Sequence, residues 1–442
     1  MNVFIETLGC AKNEADSRIL SGLFLESHHT LTDDPEQADL IIVNTCGFIL
    51  DAAQESIQQL VTYSTHLKRL NPAVKVMALG CLVQRYADEL IKEIPEIDYW
   101  IGLDTLESIV PVVEYASKGI RIPEKPNPIF YRTPEEFQPD KQSFSYIKIG
   151  DGCNRNCAFC SIPTFKGEHI SRDHRDIKKE FLQLVKTGKR ELILVDQDIT
   201  QYNYDGKGLS QLTTELSKVE GDYWIRLMYM HPDHISKALF LGLKKAKHLI
   251  SYFDVPVQHG SDSVLKNMGR KRTVSQLKEQ IQMIRDNFSD VCLRTTIMLG
   301  FPGEGQKEFD QLMAFMEEVR FDKVGFFTFS PEEGTPITKN PYSLEDEAVI
   351  EERLTQIKEL QREISVDKNE ELLGRKMQLL IDSYEEDLLV CRSYRDAPDI
   401  DSEVFVKINI SEGQKKPSVG EFIEARITGF DDFDLEAEWL CN

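Results

Sequence analysis

Three cysteines stand close together in the stretch GDGCNRNCAFCSIPTF, residues 150–165: Cys153, Cys157 and Cys160. A disulfide uses two cysteines, and a closed structural zinc site uses four ligands. Three thiolates at this spacing can hold one face of a cube-shaped iron–sulfur cluster, which usually has four cysteine ligands. One iron is then left open to bind and activate another molecule, as a catalytic zinc keeps an open position. We refer to these three residues as the loop triad.

Two other interpretations of the loop triad stay open from the residues alone. The first is a zinc site completed by His169 or Cys292, although the usual paired ligand spacings are absent. The second is inert packing of all three thiols. Buried structural cysteines, however, have no reason to crowd a polar loop that is rich in Gly and Asn.

Three further cysteines share one position relative to predicted strands. Cys10, Cys46 and Cys81 follow the segments ETLG, VNT and ALG. Parallel strands end at one edge of a sheet, where α/β proteins form their sites, so we expect these cysteines to converge in a second site with its own open iron. Three unrelated packing positions are the alternative. We refer to this set as the N-terminal triad. No such pattern surrounds the remaining cysteines, which are Cys292, Cys391 and Cys441.

The first segment of the chain, residues 1–122, has the alternating pattern of an α/β domain. Nearly continuous apolar runs alternate with amphipathic stretches, which predicts buried strands joined by helices and therefore a parallel sheet. A stretch with five prolines, 122–142, follows and is predicted to be a linker. The predicted strands are 2–8, 38–44 and 74–80, and the predicted helices include 14–27 and 51–70.

The second segment, residues 139–369, repeats the strand–helix rhythm six times. Six units predict a partial (β/α)6 barrel, shorter than the eight units of a full barrel, with a doubly wound sheet as the alternative. The loop triad follows the first of these strands, and the carboxyl end of the strands is the active-site face in both architectures. The predicted strands are 144–150, 191–198, 224–230, 252–257, 292–300 and 323–330.

The third segment, residues 370–442, follows a long polar helical pattern over 343–374 that is predicted to end at Gly374. Short strand patterns separated by turn residues predict a small antiparallel β-barrel. The predicted strands are 376–382, 388–394, 403–410 and 422–430.

The CxxxCxxC spacing after a first barrel strand, with Phe159 before the last cysteine, resembles the radical S-adenosylmethionine enzymes. The resemblance implies a [4Fe–4S] cluster whose open iron binds S-adenosylmethionine, and a reduction that cleaves this molecule to a 5′-deoxyadenosyl radical. Phe159 would then lie near the adenine. The stretch TIMLGFPGEG, residues 296–305, matches the glycine-containing strand end that cradles the nucleoside in that family, with Gly300 and Gly303 in the cradle.

The order of the three segments is similar, over nearly all 442 residues, to that of the methylthiotransferases with a C-terminal TRAM domain. The resemblance implies two [4Fe–4S] clusters, of which the N-terminal triad holds the one that handles the transferred sulfur. One S-adenosylmethionine would supply the methyl group. A second would supply the radical that opens a C–H bond on the substrate.

Within that family the chain resembles the RimO type, which modifies the β-carbon of an aspartate in the twelfth small-subunit ribosomal protein. The stretches TLGCAKNEADS, ELILVDQDITQY, YFDVPVQHGSD and RSYRDAPDID carry this resemblance, whereas Ala11 stands where proline is common. A tRNA adenosine methylthiotransferase is the first alternative. A more remote one is an iron–sulfur carrier or scaffold without radical chemistry, which would form no 5′-deoxyadenosine.

Several other polar residues belong to the expected active face. Gln197 and Asp198 follow the second strand of the predicted barrel, and we expect them in the S-adenosylmethionine pocket. Gln258 and His259 follow the fourth strand, where a histidine is as often structural as catalytic. Arg172 could meet the carboxylate of S-adenosylmethionine, with a surface arginine as the simpler interpretation.

The composition, with 41% hydrophobic and 29% charged residues, is that of a globular protein. The first residues do not resemble a signal peptide, and no apolar run approaches the roughly 18 residues of a membrane span. We therefore expect a cytoplasmic protein without membrane contact, in which nine cysteines indicate metal or catalysis more than disulfides. The family resemblance implies an external electron donor of the flavodoxin or ferredoxin type and a source of sulfur.

The net charge of −22 bears on partners rather than on the fold. Residues 370–442 hold 18 acidic and 8 basic residues, a net charge of −10 in a small part of the chain. RNA phosphates would meet a repulsive field there, whereas a basic ribosomal protein would be attracted, so we do not expect RNA to be the main target. Solubility alone is the alternative explanation. Two short basic stretches, 242–248 and 269–273, are predicted to be solvated.

Overall fold

The structure is a computed structural model that describes residues 1–126, 132–137, 142–339, 342–408 and 416–440. Its first unit is a parallel sheet in the order β2-β1-β3-β4-β5-β6, which confirms the predicted α/β domain. The second strand pairs with one side of the first, and the third strand pairs with its other side. A topological switch point therefore forms at the carboxyl ends of the first and third strands. The strands are β1 (Asn2–Thr7), β2 (Thr30–Leu31), β3 (Leu40–Thr45), β4 (Lys75–Gly80), β5 (Tyr99–Ile101) and β6 (Gly119–Arg121), and the helices are α1 (Ala11–Glu26), α2 (Leu50–Val61), α3 (Lys68–Leu70), α4 (Cys81–Glu93) and α5 (Ile109–Tyr115), with a π-helical segment, Thr62–Leu67, between α2 and α3.

The second unit is an open sheet of six parallel strands with helices on its outer side. The large strands follow one another in chain order, β7-β10-β13-β14-β15-β16, which confirms the partial (β/α)6 barrel and excludes the reversal that a doubly wound sheet requires. The strands are β7 (Phe144–Lys148), β8 (Gly150–Asp151), β9 (Ile170–Ser171), β10 (Glu191–Val195), β11 (Asn203–Tyr204), β12 (Lys207–Gly208), β13 (Trp224–Leu227), β14 (Leu249–Asp254), β15 (Cys292–Leu299) and β16 (Lys323–Thr328). The helices are α6 (Ile162–Phe165), α7 (His174–Lys186), α8 (Leu209–Leu216), α9 (Lys237–Leu243), α10 (Asp262–Asn267), α11 (Val274–Asn287), α12 (Gln306–Val319) and α13 (Glu347–Glu370).

Helix α11 illustrates why the outer helices form where the sequence predicts them. Thr273 caps its amino terminus by accepting a hydrogen bond from the N–H of Gln276, whose side chain binds back to the N–H of Thr273. Leu277, Ile281 and Ile284 recur at helical spacing and are buried in the core shared with the sheet. Such burial fixes each helix against the sheet, and with it the loops at the carboxyl ends of the strands.

The third unit is a closed barrel of five strands, in the order β17-β18-β19-β21-β20. The barrel was predicted, but one pairing differs from the antiparallel prediction: Val404–Lys407 runs parallel to Leu435–Trp439. The two are not joined as a hairpin, because the strand Phe422–Phe430 lies between them in the chain and pairs antiparallel with Leu435–Trp439. Part of the predicted strand 403–410 lies outside the described residues. The strands are β17 (Lys376–Glu385), β18 (Leu388–Ser393), β19 (Val404–Lys407), β20 (Phe422–Phe430) and β21 (Leu435–Trp439).

The long polar helix before the barrel, α13, ends at Glu370, earlier than its predicted end at Gly374. A short turn separates the two, and Gly374 adopts a φ of +77°, a left-handed conformation that favours glycine. No helix in the described part of the chain is both long and apolar enough to cross a membrane.

The described part of the predicted linker packs between the first two units. Its residues 127–131 and 138–141 lie outside the described ranges, but Phe137 contacts the hydrophobic cores of both units. Helix α1 adds a polar contact, because the guanidinium of Arg18 donates to the carbonyl of Tyr146 at 2.6 Å and also binds the buried Glu180. The first sheet is therefore fixed against the edge strand β7 of the second.

The barrel packs against the amino ends of the second sheet through buried charges. Glu191, the first residue of β10, is fully buried and accepts from Arg226 of β13 and from Arg392 of β18. Asp401, in the segment after β18, accepts from the Tyr252 hydroxyl at 2.6 Å. The segment RSYRDAPDID therefore closes the end of the open barrel that lies opposite the cysteines.

We predict that Glu191→Gln destabilises the protein by about 3–5 kcal/mol, because two buried arginines lose the carboxylate that they share. Urea denaturation followed by circular dichroism measures the effect as a lower midpoint. Burial would raise the pKa of Glu191, but Arg226 and Arg392 outweigh it and lower the pKa below the ordinary 4.5. The stabilisation is therefore present above pH 4.5 and is lost as the pH falls through the lowered pKa, where the two proteins should converge.

The matched control is Glu318→Gln, which removes a carboxylate paired with Lys278 on the exposed surface. Solvent screens that pair, so the midpoint should stay close to that of the wild type. Equal midpoints for both variants would contradict the role assigned to Glu191.

Candidate functional site

The N-terminal triad lies at the carboxyl edge of the first sheet. Cys10 follows β1, Cys46 follows β3, and Cys81 begins α4 directly after β4. Two glycines let these loops touch: a Cβ on Gly9 would lie 2.8 Å from Cys46 Sγ, and a Cβ on Gly47 would lie 3.3 Å from the carbonyl carbon of Cys81. The structure thus brings the three cysteines to one place, at the switch point and the strand beside it.

Burial and neighbouring cations act on these thiols in opposite directions. Burial raises the pKa of Cys81 to about 12 and also raises the pKa of Cys46. Burial acts on Cys10 as well, but Lys12 and Lys166 outweigh it and lower the pKa of that thiol. Because the thiolate is the form that binds metal, the two lysines favour the liganding form of Cys10.

The loop triad lies on the loop between β8 and β9, at the carboxyl end of the second sheet. Cys153 and Cys157 are buried and Cys160 is partly buried, with its N–H donating to the carbonyl of Cys157 at 3.1 Å. Gly152 makes the turn with a φ of +76°, and a Cβ there would lie 2.2 Å from the carbonyl oxygen of Glu168. Burial, together with the charges of Cys157 and Cys153, raises the pKa of Cys160 to about 12, as expected for three neighbouring sulfurs.

Both donor sets consist of cysteine thiols, the ligands that hold iron–sulfur clusters. In a [4Fe–4S] cluster each cysteine binds its own iron, so the sulfurs need not converge on one point. The two candidates for a zinc ligand have other partners: His169 binds Asp196 at 2.8 Å, and the Cys292 thiol donates to the carbonyl of Arg395 at 3.3 Å.

A buried charge network lies between the two triads. The Lys166 ammonium donates to both carboxylate oxygens of Asp151, at 2.9 and 3.1 Å. Lys148 binds the same carboxylate at 3.3 Å and also pairs with Asp16 of helix α1. Burial would raise the pKa of Asp151, but Lys166 and Lys148 outweigh it and hold that pKa well below its usual range. A cation of the second unit is thereby placed beside the thiols of the first.

Two further contacts bring the same edges together. The ammonium of Lys12 lies 4.4 Å from the ring centroid of Tyr229, a residue that follows β13 and has a φ of +65°. Arg85 of helix α4 lies 3.2 Å from Glu332 and donates to the carbonyl of Gly47, beside Cys46. The carboxyl edges of the two sheets therefore face each other, with one triad on each.

The structure places Phe159 close to the predicted nucleoside cradle. Its ring meets that of Phe301 edge to face, with centroids 6.3 Å apart, and the guanidinium of Arg270 lies 5.8 Å from its centroid. Gly300 and Gly303 have φ values of +72° and +95°, which favour glycine at both positions. The three predicted residues Phe159, Gly300 and Gly303 thus border one apolar cluster beside the loop triad.

The polar residues predicted for the pocket divide into two groups. Both polar side-chain atoms of Gln197 are buried and have no hydrogen-bond partner among the described residues, which is the state that a bound ligand would relieve. Asp198 is already occupied, because it pairs with Arg155 at 2.6 Å and accepts from the N–H of Thr200 at 3.0 Å. Arg172 is buried and binds the carboxylate of Glu180, so the simpler expectation of a surface arginine is wrong, and contact with S-adenosylmethionine stays a prediction.

Gln258 and His259 hold the fourth loop of the second unit in place. Gln258 has a φ of +76° and its N–H donates to the carbonyl of Thr296 at 2.8 Å. His259 is fully buried, accepts from the N–H of Ser261 at 3.0 Å and lies 3.4 Å from Glu304. The structural interpretation of this histidine agrees with these contacts.

Sequence reasoning missed a basic and histidine-rich wall beside the loop triad. His231 Nε2 lies 3.9 Å from Cys157 Sγ and contacts Arg270. Burial and the positive charges of Arg270 and Arg155 lower the pKa of His231 to about 2, so this imidazole is neutral at physiological pH. Its signal was present, because His231 directly follows a predicted barrel strand, the position from which the other candidates were drawn.

Three family profiles match the chain in the order of its three units. Residues 2–102 match the Uncharacterized protein family UPF0004, residues 147–316 match the Radical SAM superfamily, and residues 373–440 match the TRAM domain. The second match implies a [4Fe–4S] cluster and S-adenosylmethionine as cofactors.

Solved structures with a similar fold include radical S-adenosylmethionine enzymes that use cobalamin. The methyltransferase TsrM from Kitasatospora setae with tryptophan substrate and a S-adenosylmethionine analogue has a TM-score of 0.56 and 13% identity, covering 74% of this chain and 72% of that one. OxsB with aqua-cobalamin and S-adenosylmethionine has a TM-score of 0.53 and 12% identity, covering 76% and 54%. At such identity these likenesses concern the fold alone.

Relatives with much higher identity span the whole chain. The ribosomal protein uS12 methylthiotransferase RimO of Thermotoga sp. (strain RQ2) is 41% identical over 439 residues, covering 98% of this chain and 99% of the relative. The protein of that name from Thermosipho melanesiensis is 42% identical over 447 residues, covering 99% of each. The chain therefore belongs to the RimO family of radical S-adenosylmethionine methylthiotransferases.

Proposed function

We propose that this protein adds a methylthio group to the β-carbon of an aspartate in ribosomal protein uS12, by radical S-adenosylmethionine chemistry with two [4Fe–4S] clusters. The observation that carries the proposal is the pair of cysteine triads on the facing edges of two parallel sheets. Relatives of 41% and 42% identity, named as uS12 methylthiotransferases, support the substrate. They also disfavour the tRNA alternative.

The loop triad would hold the cluster that binds S-adenosylmethionine. When bound, that cluster supplies one electron that cleaves S-adenosylmethionine to methionine and a 5′-deoxyadenosyl radical. Gln197 would satisfy its buried amide on polar atoms of this ligand, and Phe159 would pack near the adenine. Gly300 and Gly303 would let the backbone approach the nucleoside closely. Arg172 and Asp198 would support this pocket from behind, because each also binds a protein partner.

The N-terminal triad would hold the second cluster, which handles the sulfur. Sulfide and thiolate sulfur carry negative charge, and Lys12 and Lys166 bring positive charge to Cys10. Lys166 is held there by Asp151, only two residues before Cys153 of the other triad. The same arrangement thus serves both halves of the reaction, since sulfur is stabilised close to the place where the substrate radical forms.

The third unit would recognise the basic ribosomal protein. Some of its carboxylates serve internal contacts, such as Asp432, which lies 3.1 Å from Arg362, and Asp434, which accepts from the N–H of Glu403 at 3.0 Å. Others are exposed, above all three at the turn between β17 and β18 that we name the acidic tip: Glu385, Glu386 and Asp387. Exposed negative charge attracts a basic protein and repels phosphate, which favours protein over RNA as the target.

The proposed boundaries are 1–122 for the methylthiotransferase domain, 139–369 for the radical domain and 370–442 for the TRAM domain. The reaction also needs an external one-electron donor of the flavodoxin or ferredoxin type and a sulfur source. Ribosomal proteins and low-potential donors are found in the cytoplasm, where we place the protein.

The two triads should divide the chemistry between them. Replacing all cysteines of the loop triad by Ala should remove half of the bound iron and abolish 5′-deoxyadenosine formation. Replacing those of the N-terminal triad should remove the other half, leave 5′-deoxyadenosine formation intact and stop methylthio transfer, because the sulfur-handling cluster is gone. Iron analysis and chromatography of the products, after anaerobic reconstitution and dithionite reduction, measure each outcome.

Cys391→Ala is the matched control, since this cysteine is buried in the third barrel and should leave iron and both activities unchanged. Methylthio transfer by the protein without the N-terminal triad would refute the sulfur-handling role. A wild type that binds iron but forms no 5′-deoxyadenosine would instead favour the carrier alternative.

Reversing the acidic tip to Lys should weaken binding to uS12 and lower its modification. The change replaces attraction of a basic partner by repulsion, and the affinity of the wild type should fall as salt is raised. Equilibrium binding to purified uS12 and mass spectrometry of the modified aspartate measure both effects. Formation of 5′-deoxyadenosine in the absence of uS12 should not change.

The control reverses three acidic residues of the outer helix α12, which is not part of the third barrel: Asp310, Glu317 and Glu318. It matches the change in net charge without touching the tip. Equal loss of uS12 binding in both variants would mean that net charge alone acts. Tighter binding of the wild type to tRNA than to uS12 would contradict the proposed substrate and favour the tRNA methylthiotransferase alternative.

A further inference from the structure

A stretch without acidic residues borders the loop triad in an otherwise acidic chain. Residues 263–278 contain five Lys or Arg and no Asp or Glu, although the whole chain has 74 acidic and 52 basic residues. Residues 152–167, which carry the loop triad, also contain no Asp or Glu. The two segments together form a local reversal of the overall charge.

These two segments are packed directly on each other. The N–H of Ala158 donates to the carbonyl of Met268 at 2.9 Å, and a Cβ on Gly269 would lie 2.8 Å from the carbonyl oxygen of Asn156. The N–H of Ile337 donates to the carbonyl of Ala158 at 3.0 Å and brings a third segment alongside. Basic residues of all these segments therefore surround the cysteines.

Some of the basic side chains face the cysteines and others face solvent. Arg270 acts electrostatically on Cys160, and Lys271 acts on His231, next to Cys157. Lys266, Lys271 and Lys339 are exposed, and Arg270 and Arg272 are partly exposed. We name these five residues the basic rim. Of the nearby carboxylates, Asp198 is buried and paired with Arg155, whereas Asp262 is exposed and Asp233 is partly exposed. These two reduce the positive charge of the rim but are outnumbered by its five cations.

We infer that the basic rim is the docking surface for an acidic, low-potential one-electron carrier protein of the flavodoxin type. The inference rests on the proposed function, in which the cluster at the loop triad is reduced from outside. One electron leaves the carrier and enters that cluster, so the carrier is oxidised and the cluster reduced by one electron for each S-adenosylmethionine cleaved. Exposed positive charge around the cluster would steer an acidic donor to it and orient the donor.

The position of the rim favours an electron carrier over the other basic-patch partner, RNA. The surface presented to solvent beside the cysteines is the shortest route for an electron, and Asn154 and Asn156 of the cysteine loop are exposed there. The third unit, which the proposed function assigns to the ribosomal substrate, packs against the opposite end of the second sheet. Donor and substrate would thus occupy separate faces.

The test compares two reductants on one variant. Lys266→Glu combined with Lys271→Glu reverses exposed charges that touch neither a cysteine nor the predicted ligand pocket. In the reconstituted holoenzyme, 5′-deoxyadenosine formation driven by reduced flavodoxin should fall on the order of tenfold at low flavodoxin concentration, and its salt dependence should flatten. Formation driven by dithionite, a small reductant that needs no docking surface, should stay at the wild-type rate.

The chain offers a matched control in its other basic stretch. Lys244→Glu combined with Lys245→Glu changes the charge equally, on a turn at the amino ends of the strands, and should leave both rates unchanged. A wild-type flavodoxin rate in the rim variant would overturn the inference, as would an equal loss with flavodoxin and dithionite. Loss of binding to a short RNA with an unchanged flavodoxin rate would assign the rim to RNA and also overturn it.

Equilibrium binding of flavodoxin to wild type and rim variant, followed by flavin fluorescence, tests docking without any cleavage. Weaker binding by the rim variant alone supports the inference, and equal binding by all three proteins contradicts it. If the wild type forms no 5′-deoxyadenosine with dithionite, the proposed function fails. The binding comparison still decides whether the rim docks an acidic flavoprotein.

Discussion

The buried ion pair between Lys166 and Asp151 is the interaction on which the arrangement of the two triads depends. A lone ammonium at this depth would cost several kcal/mol, and removing one partner of such a pair typically costs about 3–5 kcal/mol. Lys148 binds both Asp151 and Asp16 of helix α1, so the network connects the first unit to the second beside the two triads. A charge that stabilises thiolates therefore also fixes the distance between the domains that carry them.

Around this network, two parallel sheets present the same kind of edge to each other. The carboxyl ends of parallel strands are where loops are free to vary and where α/β proteins place their chemistry. In the first sheet the switch point lies between β1 and β3, which Cys10 and Cys46 follow. In the second sheet the loop triad follows the edge strand β7 and its short extension β8, beside helix α1 of the first unit. Facing edges allow two separately built sites to share one space.

The charged residues of the molecule differ in role between its regions. Buried carboxylates of the third unit, Asp396 paired with Lys323 and Asp401 paired with Arg294, hold it against the second sheet, so part of its acidic composition is structural. Other carboxylates of that unit are exposed, among them the acidic tip, whereas the five cations of the basic rim lie beside the loop triad. An acidic chain with a positive region beside its loop triad can repel nucleic acid broadly and still attract an acidic donor there.

The sequence by itself determined the three units, the strands of the partial barrel and the two sets of cysteines. Apolar runs of strand length, and cysteines placed directly after them, are patterns of neighbouring residues, so they can be recognised without knowing the fold. Only the tertiary structure decided the partners of the buried charges, because Lys166 and Asp151, or Glu191 and Arg392, are paired by packing between distant elements. For the same reason the sequence could not show that Arg172 and Asp198 have protein partners, or that the buried amide of Gln197 has none among the described residues. His231 was missed because its place beside the loop triad depends on its contact with Arg270. That residue lies 39 positions further along the chain and reaches His231 only in the folded protein.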